Sequence, residues 1–198
     1  VAGVLFISSI SGYVFARFKF PGREFLFLII LALLMIPGIL TLVPAFILVK
    51  NLGLLGTRWA LIIPYVAGGQ VFAIFILRSF MASLPNELFE AAKVDGAKTL
   101  QMYYHIALPM SMPILVTIAI MNILNTWNDY VWPLVTLPKS KLWTITIGIV
   151  SFGSQYLGLE NYGPMFAGYV IASLPLIILF FFTMRYFIQG LSSGALKV

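Results

Sequence analysis

Side chains able to do covalent or metal chemistry are scarce in this chain. His105 is its single histidine, cysteine is absent, and six acidic residues serve 198 positions. Without cysteine there is no thiolate nucleophile, disulfide or Cys-based metal site. One histidine without clustered carboxylates makes no metal site either, so the simpler role for His105 is a packed or hydrogen-bonded helix residue. Ser and Asp residues show no triad-like grouping. DGAKT at 95–99 superficially suggests a phosphate loop. Walker A, however, requires glycine directly before the lysine and again five residues earlier, where this chain has Ala97 and Ala92. The chain reads as non-catalytic, with no metal, nucleotide or other cofactor site of its own.

What these residues can do is bind. Glu90, Lys93 and Asp95 gather charge around Ala91, Ala92 and Gly96 in a chain that is only 9% charged. Small side chains let another backbone come close, and the charges can make charge-assisted contacts there. The plainer reading of the same residues is a solvated loop. A second group is Asn122, Asn125 and Asp129, which fall within about 60° of one another on a helix of 3.6 residues per turn. Trp127 and Asn128 flank them. Amides and an indole suit sugar hydroxyls and sugar faces, but polar residues in lipid also serve as glue between helices. Gln70, beside Gly68 and Gly69 in an apolar run, poses the same choice.

Both groups must be held by elements built for lipid. Hydrophobic residues make up 61% of the chain and the mean hydropathy is +1.03. A soluble domain is about one quarter charged, so too little charge is present here to coat a water-facing surface. The net charge of +6 fits helix ends at a membrane surface rather than nucleic-acid binding. A span takes about 20 helical residues. Apolar runs predict spans at about 1–16, 25–48, 59–80, 110–132 and 164–186. Pro37, Pro44, Pro64 and Pro175 lie within these runs; in a membrane bundle neighbouring helices can re-satisfy the carbonyls they free. The predicted fold is an all-α integral membrane protein, a polytopic transmembrane helix bundle forming one domain over 1–198.

Orientation follows from the basic residues. With five spans, Arg17, Lys19, Arg23, Arg78, Lys93, Lys98, Arg185 and Lys197 share one side, and Lys50, Arg58, Lys139 and Lys141 the other. Eight against four makes the first side cytoplasmic, with the C-terminus on it. Counting the uncharged stretch Leu142–Leu159 as a sixth span would level the count at six each, so 133–163 is predicted as an external loop with room for a short surface helix.

On the cytoplasmic side, 83–109 reads as helix, turn, helix. Ser83 or Asn86 can cap it, Pro85 fits a first turn, and Glu87 and Glu90 favour the positive end of the helix dipole. Gly96 can stop the first helix in a left-handed conformation. Glu90-Ala91-Ala92, three residues, Gly96, nine residues, Ile106, one residue, then Leu108-Pro109 resembles the EAA signature of binding-protein-dependent ABC importer permeases. Gly12–Arg23, Asn51–Tyr65, Asn125–Leu134 and the tail Gln189–Val198 are similar to the carbohydrate branch of that family, the maltose-type second permease subunit.

The resemblance implies more than composition does. It implies a bacterial-type cytoplasmic (inner) membrane location and a coupling helix that seats on a cytoplasmic ATPase. Glu90, Ala91, Ala92, Asp95, Gly96, Ile106, Leu108 and Pro109 would carry that coupling. ATP and Mg would be bound by the partner ATPase. Expected partners are a second, distinct permease subunit, two ATPase subunits, an extracytoplasmic solute-binding protein and membrane lipid. The family pattern has six spans, so a first span is expected ahead of Val1. The competing function is a secondary carrier or channel not driven by ATP. That reading is disfavoured because the predicted spans carry no Asp, Glu, Lys, Arg or His in their cores.

Overall fold

The computed structural model describes residues 1–155 and 162–195, with side chains described as far as residue 184. Residues 156–161 of the expected external loop lie outside the described residues, and so do Lys197 and the side chains of Arg185 and of the Gln189–Val198 tail. Every regular element among the described residues is helical. In order these are α1 (Ala2–Arg17), α2 (Arg23–Leu34), α3 (Gly38–Asn51), α4 (Trp59–Ala82), α5 (Asn86–Val94) and α6 (Thr99–Met102). A π-helical turn (Tyr103–Ala107) leads into α7 (Leu108–Met110), α8 (Met112–Asn128) and α9 (Val131–Thr136). A 3-10 turn (Ser140–Leu142), α10 (Ile145–Ser154) and α11 (Gly163–Ala195) complete the chain.

Helix length sets what can cross a bilayer. The 24 residues of α4 rise about 36 Å, enough for a hydrocarbon layer of about 30 Å. By length and composition α4 and Gly163–Met184 of α11 can each span, and the number reaches four if each of two broken helix pairs makes one span. At 16 residues α1 is shorter than the usual span.

Prolines explain where the apolar runs break. The run at 25–48 is two helices, α2 and α3, because a residue before proline is pushed out of the helical region and Pro37 itself is extended at ψ 128. Between Pro109 and Pro113 the helix axis turns by 70°, as each proline withholds an N–H from the ladder. The Ser111 N–H is shared there between the carbonyls of Ala107 at 3.0 Å and Leu108 at 3.1 Å. By contrast Pro44, Pro64 and Pro175 stay inside helices. At Pro64 the compensation is visible. The freed carbonyl is that of Ala60, and the Trp132 indole Nε1 donates to it at 3.0 Å.

The chain forms two compact units, one built on 1–36 and 66–120 with the end of α11, the other on 37–65 and 121–184. The first holds the larger core. Val4 and Tyr13 of α1, Leu77 and Met81 of α4, Phe89 of α5, Met102, Tyr103 and Ala107, and Ile114, Leu115 and Ile118 of α8 are buried together. Small residues let α1 come close. Ser8, Ser9 and Gly12 are buried on one face of it, and a Cβ on Gly12 would lie 2.7 Å from the Leu77 Cβ and 3.2 Å from the Arg78 nitrogen. Small residues spaced four apart are the usual means by which helices in lipid approach closely. Gly12→Leu is therefore expected to cost about 1–3 kcal/mol through overpacking, read as a lower thermal unfolding midpoint in detergent. An unchanged midpoint would refute the close approach. The second unit has a smaller core of Val49, Ala60 and Trp132.

Candidate functional site

The EAA-like segment lies in the first unit. The nine residues of α5 divide cleanly by helical spacing. Phe89 is buried and Ala92 is half-buried on one side, both packed in the core. Glu87, Glu90, Ala91 and Val94, at i, i+3, i+4 and i+7, form an exposed stripe on the other. Val94 is 88% exposed, and Leu88 of α5 and Leu100 of α6 are exposed as well. Val94 therefore lies outside the core, one turn after Glu90 and next to Asp95.

The stop after α5 is built by glycine. Gly96 has φ +79, the left-handed region that side chains with a Cβ rarely adopt. The Ala97 N–H bonds the Ala92 carbonyl at 2.9 Å and the Gly96 N–H bonds the Lys93 carbonyl at 3.0 Å, the paired bonds of a Schellman motif. Downstream, Pro109 has no N–H for the His105 carbonyl and crowds it. The chain answers with the π turn, in which the Leu108 N–H reaches the Tyr103 carbonyl, five residues back. His105 is exposed, its Nδ1 donating to the Gln101 carbonyl at 3.0 Å.

Capping differs from expectation. Neither Ser83 nor Asn86 caps α5: the Ser83 hydroxyl donates to the Phe80 carbonyl, and Pro85 occupies the cap position without a side-chain bond. Asn86 instead accepts from Arg17. The Arg17 guanidinium donates to Asn86 Oδ1 and to the Leu84 carbonyl, both at 2.7 Å, and its carbon sits 4.0 Å from the Phe89 ring centroid. At the end of α4, Arg78 donates to both oxygens of Glu24 at 2.7 and 2.6 Å and lies 3.7 Å over the Phe27 ring.

The eight residues of the expected coupling set therefore separate by environment. Glu90, Ala91, Asp95, Gly96 and Pro109 are exposed, whereas Ala92, Ile106 and Leu108 are half-buried against the core. Three apolar residues of the set anchor the segment, and the other five, Glu90 and Asp95 among them, face out. Val94, Arg17 and Tyr65 were not singled out as site residues by sequence. Helical spacing from Glu90 would have found Val94. Arg17 reads only as a basic helix end, and Tyr65 is one of many aromatics in an apolar run.

In the second polar group, Asn122, Asn125, Trp127 and Asn128 lie on α8 and Asp129 follows it. Asp129 lies just past α8, where Oδ2 accepts from the Tyr65 hydroxyl at 2.9 Å and Oδ1 accepts from the Trp132 N–H at 3.2 Å. With Thr41, Leu42, Tyr65 and Trp132 it lines an open cavity of about 410 Å³. Gln70, Asn122, Asn125, Trp127 and Asn128 do not line it. The Asn128 amide returns to the Leu124 carbonyl and the Gln70 amide to that of Val66, while the Trp127 carbonyl accepts from Thr146. α9 is also tied to the loop before α4 by the Gly56 N–H, which donates to the Thr136 carbonyl at 2.9 Å. Trp132→Phe would leave the Ala60 carbonyl without its donor in a buried place, at a cost of about 1–3 kcal/mol. The expected result is a lower unfolding midpoint with the helix content unchanged.

The chain is 37% identical over 193 residues to a probable ABC transporter permease protein, YurM, of Bacillus subtilis (strain 168), covering 98% of this chain and 64% of that protein. It is 39% identical over 193 residues to the arabinooligosaccharides transport system permease protein AraQ of Halalkalibacterium halodurans, covering 98% and 68%. The chain thus spans about two thirds of the length of these relatives. The fold matches a bacterial ABC transporter involved in the import of the acidic polysaccharide alginate, with TM-score 0.76 and 24% identity over 94% of this chain and 70% of that one. The family model described as binding-protein-dependent transport system inner membrane component matches residues 5–193, and the chain belongs to that family of ABC transporter permeases.

Proposed function

We propose that the chain is the membrane-spanning permease subunit of an ATP-driven importer. It passes a sugar or sugar-like solute, delivered by an external binding protein, and is coupled to cytoplasmic ATPase subunits through α5. The observation that carries this reading is the exposed stripe Glu87, Glu90, Ala91 and Val94, ended by the Gly96 stop and backed by the core through Phe89. Such a stripe has the makeup of a docking site, with an apolar anchor, small residues and a charged rim. A sugar-class solute is supported by relatives named for oligosaccharide and lactose transport. Segment 83–109 and the C-terminus face the cytoplasm by the distribution of Lys and Arg, and five spans are assigned to this chain. A second, distinct permease, two ATPase subunits holding ATP and Mg, and a binding protein complete the assembly. Asp129, with Tyr65 and Trp132, is the pathway group. A carboxylate beside an aromatic in an open cavity suits a polyhydroxylated solute.

Purification of the assembled complex tests this reading. ATPase activity stimulated by a sugar together with its binding protein is the expected result. Ion-gradient-driven uptake by this chain alone, with no co-purifying ATPase, would support the carrier reading instead.

A further inference from the structure

We propose that Arg17 is the positioning residue that locks the coupling segment to α1, so that movement of α5 is carried into α1. This rests on the reading of α5 as the site where an ATPase seats.

Ser9, Tyr13 and Arg17 lie four residues apart and so share one face of α1. All three meet the segment 83–109. The Ser9 hydroxyl is 2.7 Å from the Tyr103 hydroxyl in the π turn. The Tyr13 ring packs 5.3 Å from the Tyr103 ring, with its hydroxyl 3.5 Å from the Thr99 carbonyl. Arg17 takes the far end, donating to the Leu84 carbonyl and Asn86 Oδ1 while covering Phe89.

The chemistry at Arg17 is suited to a rigid link. A guanidinium is a planar fork, so two short bonds to separate acceptors fix its orientation as well as its distance. The acceptors straddle Pro85, the cap of α5, and stacking on Phe89 adds a third point, on α5 itself. A push on the exposed stripe would turn α5 about its core side, and Arg17 stands at the N-terminal end of that side. α1 must then follow α5. Neither α6 nor the π turn gives α5 a comparable fork.

The test uses the assembled transporter in proteoliposomes, carrying Arg17→Gln, Arg17→Lys or Asn86→Ala. Three quantities are read: ATPase rate, solute carried per ATP hydrolysed, and crosslinking of Ala91→Cys to the ATPase. For Arg17→Gln the crosslink and the ATPase rate are expected to persist, while solute carried per ATP falls about tenfold or more, since hydrogen bonds to a charged group are among the stronger ones. Arg17→Lys, which keeps the charge but not the fork, should recover only part of that loss. Asn86→Ala should give a smaller loss and add nothing to Arg17→Gln in the double variant. Full transport per ATP in Arg17→Gln overturns the proposal, as does complete rescue by lysine. If Arg17→Gln does not assemble, Asn86→Ala decides: normal coupling there overturns the proposal, and reduced coupling supports it. Failure of the parent reading looks different, because Ala91→Cys would then not crosslink to the ATPase in an otherwise unaltered chain.

Discussion

Gly96→Pro and Glu90→Arg are expected to leave the protein inserted in the membrane while transport falls away from ATP hydrolysis. Proline holds φ near −65° and has no N–H, whereas Gly96 requires φ +79 and uses its N–H to close the end of α5 on Lys93. The turn must be rebuilt, at a local cost of about 3 kcal/mol or more, and the stripe loses its fixed end. The core beneath belongs to Phe89, Met102 and their neighbours, none of which the substitution touches, so insertion should survive. Glu90→Arg acts differently. It leaves the backbone intact and reverses charge at the centre of the stripe, placing like charge against any basic partner. Both variants should show ATPase activity poorly matched by uptake in vesicles. Normal uptake by both would count decisively against the stripe as the coupling surface.

Val94→Asp should have the second large effect, on docking rather than on coupling. A side chain 88% exposed contributes little to folding, and its replacement should change stability by no more than about 0.5 kcal/mol. At an interface the same residue is a candidate anchor, and loss of a central anchor costs about 2 kcal/mol or more, roughly a thirtyfold weaker association. The measurement is retention of the ATPase during purification, set beside the unfolding midpoint of the permease. Loss of retention with an unchanged midpoint is expected. Full retention would show that Val94 lies outside the contact.

The stretches that read well from sequence were those where a single local rule decides the structure. Gly96 stops a helix because side chains with a Cβ rarely adopt that backbone, and the small-residue and charge pattern around it marks a surface. Apolar runs located the helices, since lipid leaves a chain few alternatives. Prolines were harder. Pro37 and Pro64 look alike in sequence, yet one separates α2 from α3 and the other sits within α4. At Pro64, Trp132, nearly seventy residues away, donates to the Ala60 carbonyl that the proline leaves free. Asp129 is likewise placed by a contact distant in sequence. Periodicity placed Asn122, Asn125 and Asp129 on one face, but α8 ends at Asn128, so Asp129 leaves the helix and turns to Tyr65. Arg17 was hidden by its ordinariness, as a basic residue at the end of an apolar helix looks like a membrane-surface anchor whatever it binds.

The most direct measurement uses the absence of natural cysteine. A chain carrying only Ala91→Cys can be crosslinked in the assembled transporter through cycles of ATP binding and hydrolysis. A crosslink to the ATPase subunit and labelling by an impermeant maleimide from the cytoplasmic face alone are expected. Labelling from the external face, or no ATPase crosslink in any nucleotide state, would contradict it.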